Sequence, residues 1–477
     1  MKITACFRFG IAGQLAWCLA LVPLSAEVRM WEEELVIPTW LIGPEEVDPT
    51  FSWSSPRDDV YPYPYKEILT DEKADKKYKA CRLENEFIKV LMLPEIGGRL
   101  HGAQDKTNGY NFFYWHPSIK PALVSMTGAW ISGGIEWNFP HGHRPTCFSP
   151  VQYRLVENSD GSKTVWVGEP ELVYRLRWIV GITIYPGKSV IEAKVRLMNP
   201  SPLRQSFQMW ATTATNANED YQLIFPTRLM TGHGKVEYYH WPVNEGVDLS
   251  WWKNVPNAAS YFAVEPGGYF GGYDHAKKAG TVIAGNPHIV IGKKFWTWGT
   301  SPSGRIWERI LSDGEGPYAE PQAGAYSDNQ PDYHWIQPGE IKSYSHYFFP
   351  VRDIGPFKMA NIYGAANLEF EGDEVRLGVY STGVLKSAQV LLEREGRSVF
   401  DRTVDLDPAT PFTASLKSTA ADSDPESFVL SLKTADGEEL LSYRPKIQKP
   451  LQVPEPAKPL PDATVVRTQD ELWHYGE

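Results

Sequence analysis

At 477 residues the chain is too long for one ordinary domain and calls for two or three. A net charge of −11, with no basic block to interrupt it, argues against nucleic acid or any other phosphate-rich partner. Aromatic residues make up 13% of the chain, and 16 of the 18 Trp lie between Trp31 and Trp335, which places a domain boundary soon after Trp335.

In chain order, Lys2 and Arg8 precede an uncharged run that is apolar from Leu15 to Val22. Leu24-Ser25-Ala26 then offers a cleavage site before Glu27. This predicts a secretory signal over residues 1–26 and a secreted or periplasmic protein. No later segment is long and apolar enough to cross a bilayer. Cys6 and Cys18 fall in the signal, leaving Cys81 and Cys147, which either pair or stay as two buried thiols.

After the signal, strands and turns alternate. Phe87–Leu93 is followed by the turn Pro94-Glu95-Ile96-Gly97-Gly98. Thr164–Gly168, the long aromatic run Leu172–Tyr185, the alternating Ser189–Met198 and then Phe207–Ala214 follow, each closed by Pro, Gly or Asn. No long stretch shows the 3.6-residue helical period, and no fixed repeat is present. The pattern predicts an antiparallel β-sandwich over residues 27–357. Residues 360–447 hold short alternating strands, such as Glu374–Tyr380, Ala388–Leu392 and Ser427–Leu432, of a size that suits an immunoglobulin-like sandwich. Residues 448–477 are a Pro-rich linker and tail. Within it Thr468-Gln-Asp-Glu471 is a capping box, the start of a helix and a possible point of contact for a helical-repeat partner.

The densest polar cluster is Trp130-Ile-Ser-Gly-Gly-Ile-Glu-Trp-Asn-Phe-Pro-His-Gly-His-Arg144. Indole faces stack on the apolar faces of sugar rings, while Glu136, Asn138, His141, His143 and Arg144 suit sugar hydroxyls, with Trp130 and Trp137 as platforms. On a strand, His141 and His143 would share one face and form with Glu136 a metal set, but Pro140 and Pro145 disfavour a regular strand there, so no metal and no cofactor is expected. A second cluster, Gly316–Gly324, places Glu320 in a short uncharged strand between Pro317 and Pro321, where a carboxyl is partly desolvated. The alternative is a surface Glu on an edge strand. Trp210, His233 (between Gly232 and Gly234), His240 and Trp298 are further candidate sugar contacts, although an aromatic in such a sandwich equally suits the core.

Leu93-Pro-Glu-Ile-Gly-Gly-Arg-Leu100, Pro140-His-Gly-His-Arg144, Tyr318-Ala-Glu-Pro321 and Gln337-Pro-Gly-Glu340 occur in the order seen in aldose 1-epimerase (galactose mutarotase)-like proteins. The chain resembles an uncharacterised bacterial family of such domains, whose members carry a block like Trp130–Pro140 and often continue into tetratricopeptide repeats. The resemblance implies a β-supersandwich with a sugar cleft, Glu320 as general base, and His141 or His143 with Arg144 as the substrate-binding region; Arg99, in the first of the matched blocks, is a further candidate sugar contact. The resemblance also implies a general-acid His on the strand Phe207–Ala214, where this sequence has Trp210 and no His.

Four functions follow. A glycoside hydrolase would use Glu136 as acid and Glu320 as base or nucleophile on an oligosaccharide or polysaccharide. A non-catalytic glycan-binding module would use the same aromatics. A sugar epimerase would pair Glu320 with a His such as His233. A polysaccharide lyase would need more cationic groups than Arg144 supplies.

Overall fold

The computed structural model describes residues 27–46, 60–125, 127–234, 236–328, 332–417, 424–447, 449–455, 461–462 and 464–476. The expected signal, residues 1–26, lies outside them. The described residues are almost entirely antiparallel β, as the alternating pattern predicts.

A twelve-stranded sheet runs in the order Arg29–Ile42, Leu69–Glu84, Ile88–Leu93, Arg99–Asp105, Ile135–Asn138, Met209–Thr213, Tyr318–Ala325, Gly292–Thr297, Ala259–Ala263, Leu229–Thr231 and Tyr238–His240, with Thr215–Asn216 paired beside Tyr318–Ala325. An eight-stranded sheet runs Tyr221–Ile224, Tyr269–Asp274, Ala279–Gly285, Ile341–Arg352, Ile191–Met198, Arg177–Ile184, Lys163–Pro170 and Gln152–Glu157. Alternate residues of the two sheets meet in one large core. Ile135, Trp137, Ala211, Phe295 and Ala323 come from the first sheet, and Val165, Trp178, Val180, Ile191 and Phe348 from the second. Because side chains alternate across a strand, Glu136, Asn138, Trp210 and Glu320 are placed on the opposite face of the first sheet.

Residues from Met359 to Tyr443 form two four-stranded sheets around their own core of Leu368, Leu377, Val390, Leu430 and neighbours. At the tail, the capping box is made in both directions. Glu471 N–H donates to Thr468 Oγ1 at 3.1 Å and Thr468 N–H to Glu471 Oε2 at 3.2 Å, opening the helix Gln469–Gly476.

Three local expectations are corrected. Leu172–Tyr185 is not one strand: Glu171 accepts N–H bonds from Val173 and Tyr174, which holds a turn before Arg177–Ile184. Phe207–Ala214 is broken at Gln208, whose N–H donates to Pro140 O instead of the ladder. Residues 302–311 are a helix, Pro302–Leu311, started by Pro in its first turn, a position where the missing N–H costs nothing. Cys81 and Cys147 are both buried free thiols, the second of the two alternatives. Burial pushes each up to about 12.

Candidate carbohydrate site

Register builds the site. Across the outward face of the twelve-stranded sheet, Glu136 lies opposite Thr212, and Lys294 is flanked by Gln322 and Phe262. Thr212 and Gln322 approach each other, the hydroxyl pointing at Oε1 from 3.4 Å, so the row closes from Glu136 to Phe262. One residue pair along, Trp296 faces Glu320. Trp210 sits beside Asn138 on one strand and Gly324 on the other.

Glu320 is therefore central in the sheet, not on an edge. Pro321, which lacks an N–H, is tolerated because the partner on that side is interrupted between Met209–Thr213 and Thr215–Asn216.

The two carboxylates have different surroundings. Glu136 Oε2 accepts from Trp130 Nε1 at 2.7 Å and meets His143 Nδ1 at 2.9 Å. Burial opposes its ionisation, but the His143 charge and hydrogen bond, with Arg99 and Trp130, prevail and hold the carboxyl down to about 2. Glu320 accepts from Gln322 Nε2 at 2.5 Å. Burial pushes its carboxyl above the usual range, only partly countered by Lys294 and His143. The His143 imidazole stands one third exposed; burial works against its charge, yet Glu136 and then Glu320 raise its affinity for a proton. Lys294 is lowered to about 8 by burial and braced over Trp210 and Phe262, at 5.0 and 5.4 Å from the ring centroids. Glu136 Oε1 and Asn138 Oδ1 are buried on this face without a hydrogen-bond partner.

Of the residues singled out in the sequence, the fold brings Glu136, Glu320, Asn138, Trp130, His143 and Trp210 to this face. Arg99 is buried beside Glu136 and donates to Gly133 O. His233 packs against Phe262 at 5.8 Å, on the rim. Trp298 packs edge-on against Trp296, donates to Tyr318 Oη at 3.0 Å and stacks on Trp307.

Four others are corrected. Trp137 is wholly buried on the core face, because it is one residue out of phase with Glu136. Arg144 spends its donors on Glu169, Thr146 and the carbonyls of Trp137 and Gly97, and lies over Trp178, so it braces the loop. His141 sits in a turn against Tyr174 and Ser206, on a different set of partners from His143, although both line a cavity of about 430 Å³; among the described residues the pair does not form a metal set with Glu136. His240 lies on the edge strand, four strands from that of Glu320.

Sequence reasoning missed Lys294, Thr212 and the placement of Trp296. The signal was there in Gly292–Thr297, where Lys294 and Trp296 alternate with core Phe295.

Residues 56–351, more than half of the chain, match the family described as domain of unknown function DUF5107. The chain belongs to that family. Residues 359–443 match the second domain of YphG-like proteins. Among solved structures, a TPR-domain containing protein from Parabacteroides distasonis is 23% identical with a TM-score of 0.62, over 71% of this chain and 59% of that one. The DUF5107 chain thus spans less than two thirds of that protein's length. A galactose mutarotase-like protein from Clostridium acetobutylicum aligns at 11% identity and TM-score 0.41, over 58% of this chain and 96% of its own. One from Lactobacillus casei aligns at 11% and 0.40, over 57% and 100%.

Proposed function

We propose that this protein is a secreted or periplasmic carbohydrate-active enzyme, a glycoside hydrolase whose site is the Glu136–Glu320 face. The observation that carries the reading is a pair of buried carboxyls on one face whose surroundings shift them in opposite directions. Glu136 is held ionised and Glu320 is pushed toward its neutral form. That division is what acid and base roles in glycoside hydrolysis require. It reverses the roles expected from sequence: Glu320 is the proton donor to the leaving oxygen, and Glu136, with His143, is the base. The two Glu strands flank a common neighbour, which sets their backbones about 10 Å apart across the sheet.

A second reading, an aldose epimerase, is supported by His143. Its imidazolium, held by Glu136 and near Glu320, stands in for the acid absent from the Trp210 strand.

The test is incubation of the protein and its Glu136→Gln and Glu320→Gln variants with plant, algal and bacterial glycans, followed by proton NMR. Release of sugar, lowered at least about 100-fold in each variant, is expected, and the first-formed anomer gives the stereochemistry. Anomer exchange without cleavage would establish the epimerase. Binding without any turnover would leave a glycan-binding module.

A further inference from the structure

We infer that the outer face of the eight-stranded sheet carries a second site, for an acidic oligosaccharide, separate from the Glu136–Glu320 face and beyond the hydrolase reading. The strands Gln152–Glu157, Lys163–Pro170, Arg177–Ile184 and Ile191–Met198 lie side by side. Their inward residues Val165, Val180 and Val195 belong to the core. Their outward residues line a depression of about 720 Å³.

Trp166 occupies its middle, with Arg154 opposite on one side and Gly181 on the other. A Cβ on Gly181 would stand 2.7 to 2.8 Å from three atoms of the six-membered indole ring. Three ring atoms at nearly one distance mean that the ring lies flat across the glycine. Any side chain at position 181 would lift it. Trp166 remains partly exposed, so its other face is open to a ligand.

Arg154, Arg177 and Arg196 line the same depression and are exposed. The Arg196 guanidinium is 5.5 Å from the Trp166 ring centroid. None of the three has a carboxylate partner among the described residues, and Glu169 at the rim is already bound to Arg144 at 2.6 Å. Three uncompensated guanidinium groups on one face are a local exception in a chain of net charge −11. A flat indole takes the apolar face of a sugar ring, and guanidinium groups take carboxylates or sulfates through paired hydrogen bonds. A neutral glycan would leave the arginines unused, and an acidic peptide would leave the flat ring unused.

The experiment uses the full chain carrying Glu136→Gln and Glu320→Gln, so that nothing is turned over and the outcome does not depend on the hydrolase reading. Calorimetry would follow titration with an oligogalacturonate, a sulfated oligosaccharide, a neutral oligosaccharide of equal length and poly-glutamate. Binding of one or both acidic sugars is expected; which one binds identifies the anionic group. Arg154→Ala with Arg196→Ala should weaken it at least about tenfold, the scale of one lost charged hydrogen bond. Trp166→Ala should weaken it as well, and Trp166→Phe less. Both arginines are exposed, so their replacement leaves the fold intact, which an unchanged melting temperature would verify. Failure of both acidic sugars to bind, equal binding by the arginine variant, or equally tight binding of poly-glutamate would overturn the assignment.

Discussion

Glu136 meets an imidazole, an indole N–H and a nearby guanidinium, whereas Glu320 meets a carboxamide and, more distantly, an ammonium. The same functional group is thereby shifted in opposite directions by its surroundings. For a hydrolase with Glu320 as acid, the rate falls as pH rises through the raised Glu320 pKa, because the neutral carboxyl is the active form. The rate falls on the acid side only as Glu136 takes up a proton, near pH 2. Lys294 pulls the Glu320 pKa down. Lys294→Met should therefore move the alkaline limb to higher pH and leave the acid limb in place. A pH–rate profile with an unmoved alkaline limb would dissociate Lys294 from the acid. Glu136, Glu320 and His143 were legible as residues in the sequence. Their division of labour was not, since it depends on partners distant in sequence.

At the scale of elements, strand phase is what sorts neighbours in the sequence into site and core. Glu136 and Trp137 are adjacent and both buried, yet their side chains lie on opposite faces of the sheet, Trp137 in the core between the two sheets. The same phase seats Trp210. Gly324 stands opposite it, and a Cβ there would lie 2.8 Å from the indole Cη2 and Cζ2 atoms. Gly324→Ala should displace that ring, cost about 1–3 kcal/mol of stability and weaken glycan binding. Thermal melts together with titration would read both effects; unchanged values in both would mean that Trp210 has no fixed seat. Pro321 shows why local rules misplace a strand: proline suggests an edge, but an interruption in the partner strand lets it stand in the middle.

Across the whole molecule, the two sandwiches share an apolar seam. Val282, Phe349, Val351, Ile354 and Phe357 pack with Ala365 and Tyr380 in one buried cluster. Ser189 and Tyr380 are hydrogen-bonded at 2.8 Å through their hydroxyls, and Ser189 N–H donates to Thr382 O at 2.8 Å. Such a seam couples unfolding of the two halves. Scanning calorimetry should give one transition, and Tyr380→Ala should lower stability by about 3–5 kcal/mol. Two resolved transitions in the native protein would show that the seam contributes little.

Alternation, turn residues and the uneven spread of Trp were enough to determine an antiparallel β protein with a second, Trp-free module, because a half-buried strand imposes its period of two on the residues themselves. The capping box at Thr468 was equally readable, since both partners lie within one turn. Only the tertiary structure decided which carboxyl is pushed up and which is held down, that Arg144 is a brace, and that Lys294 joins the site. These depend on register between strands far apart in sequence, and on burial. Neither is a property of a short stretch of chain.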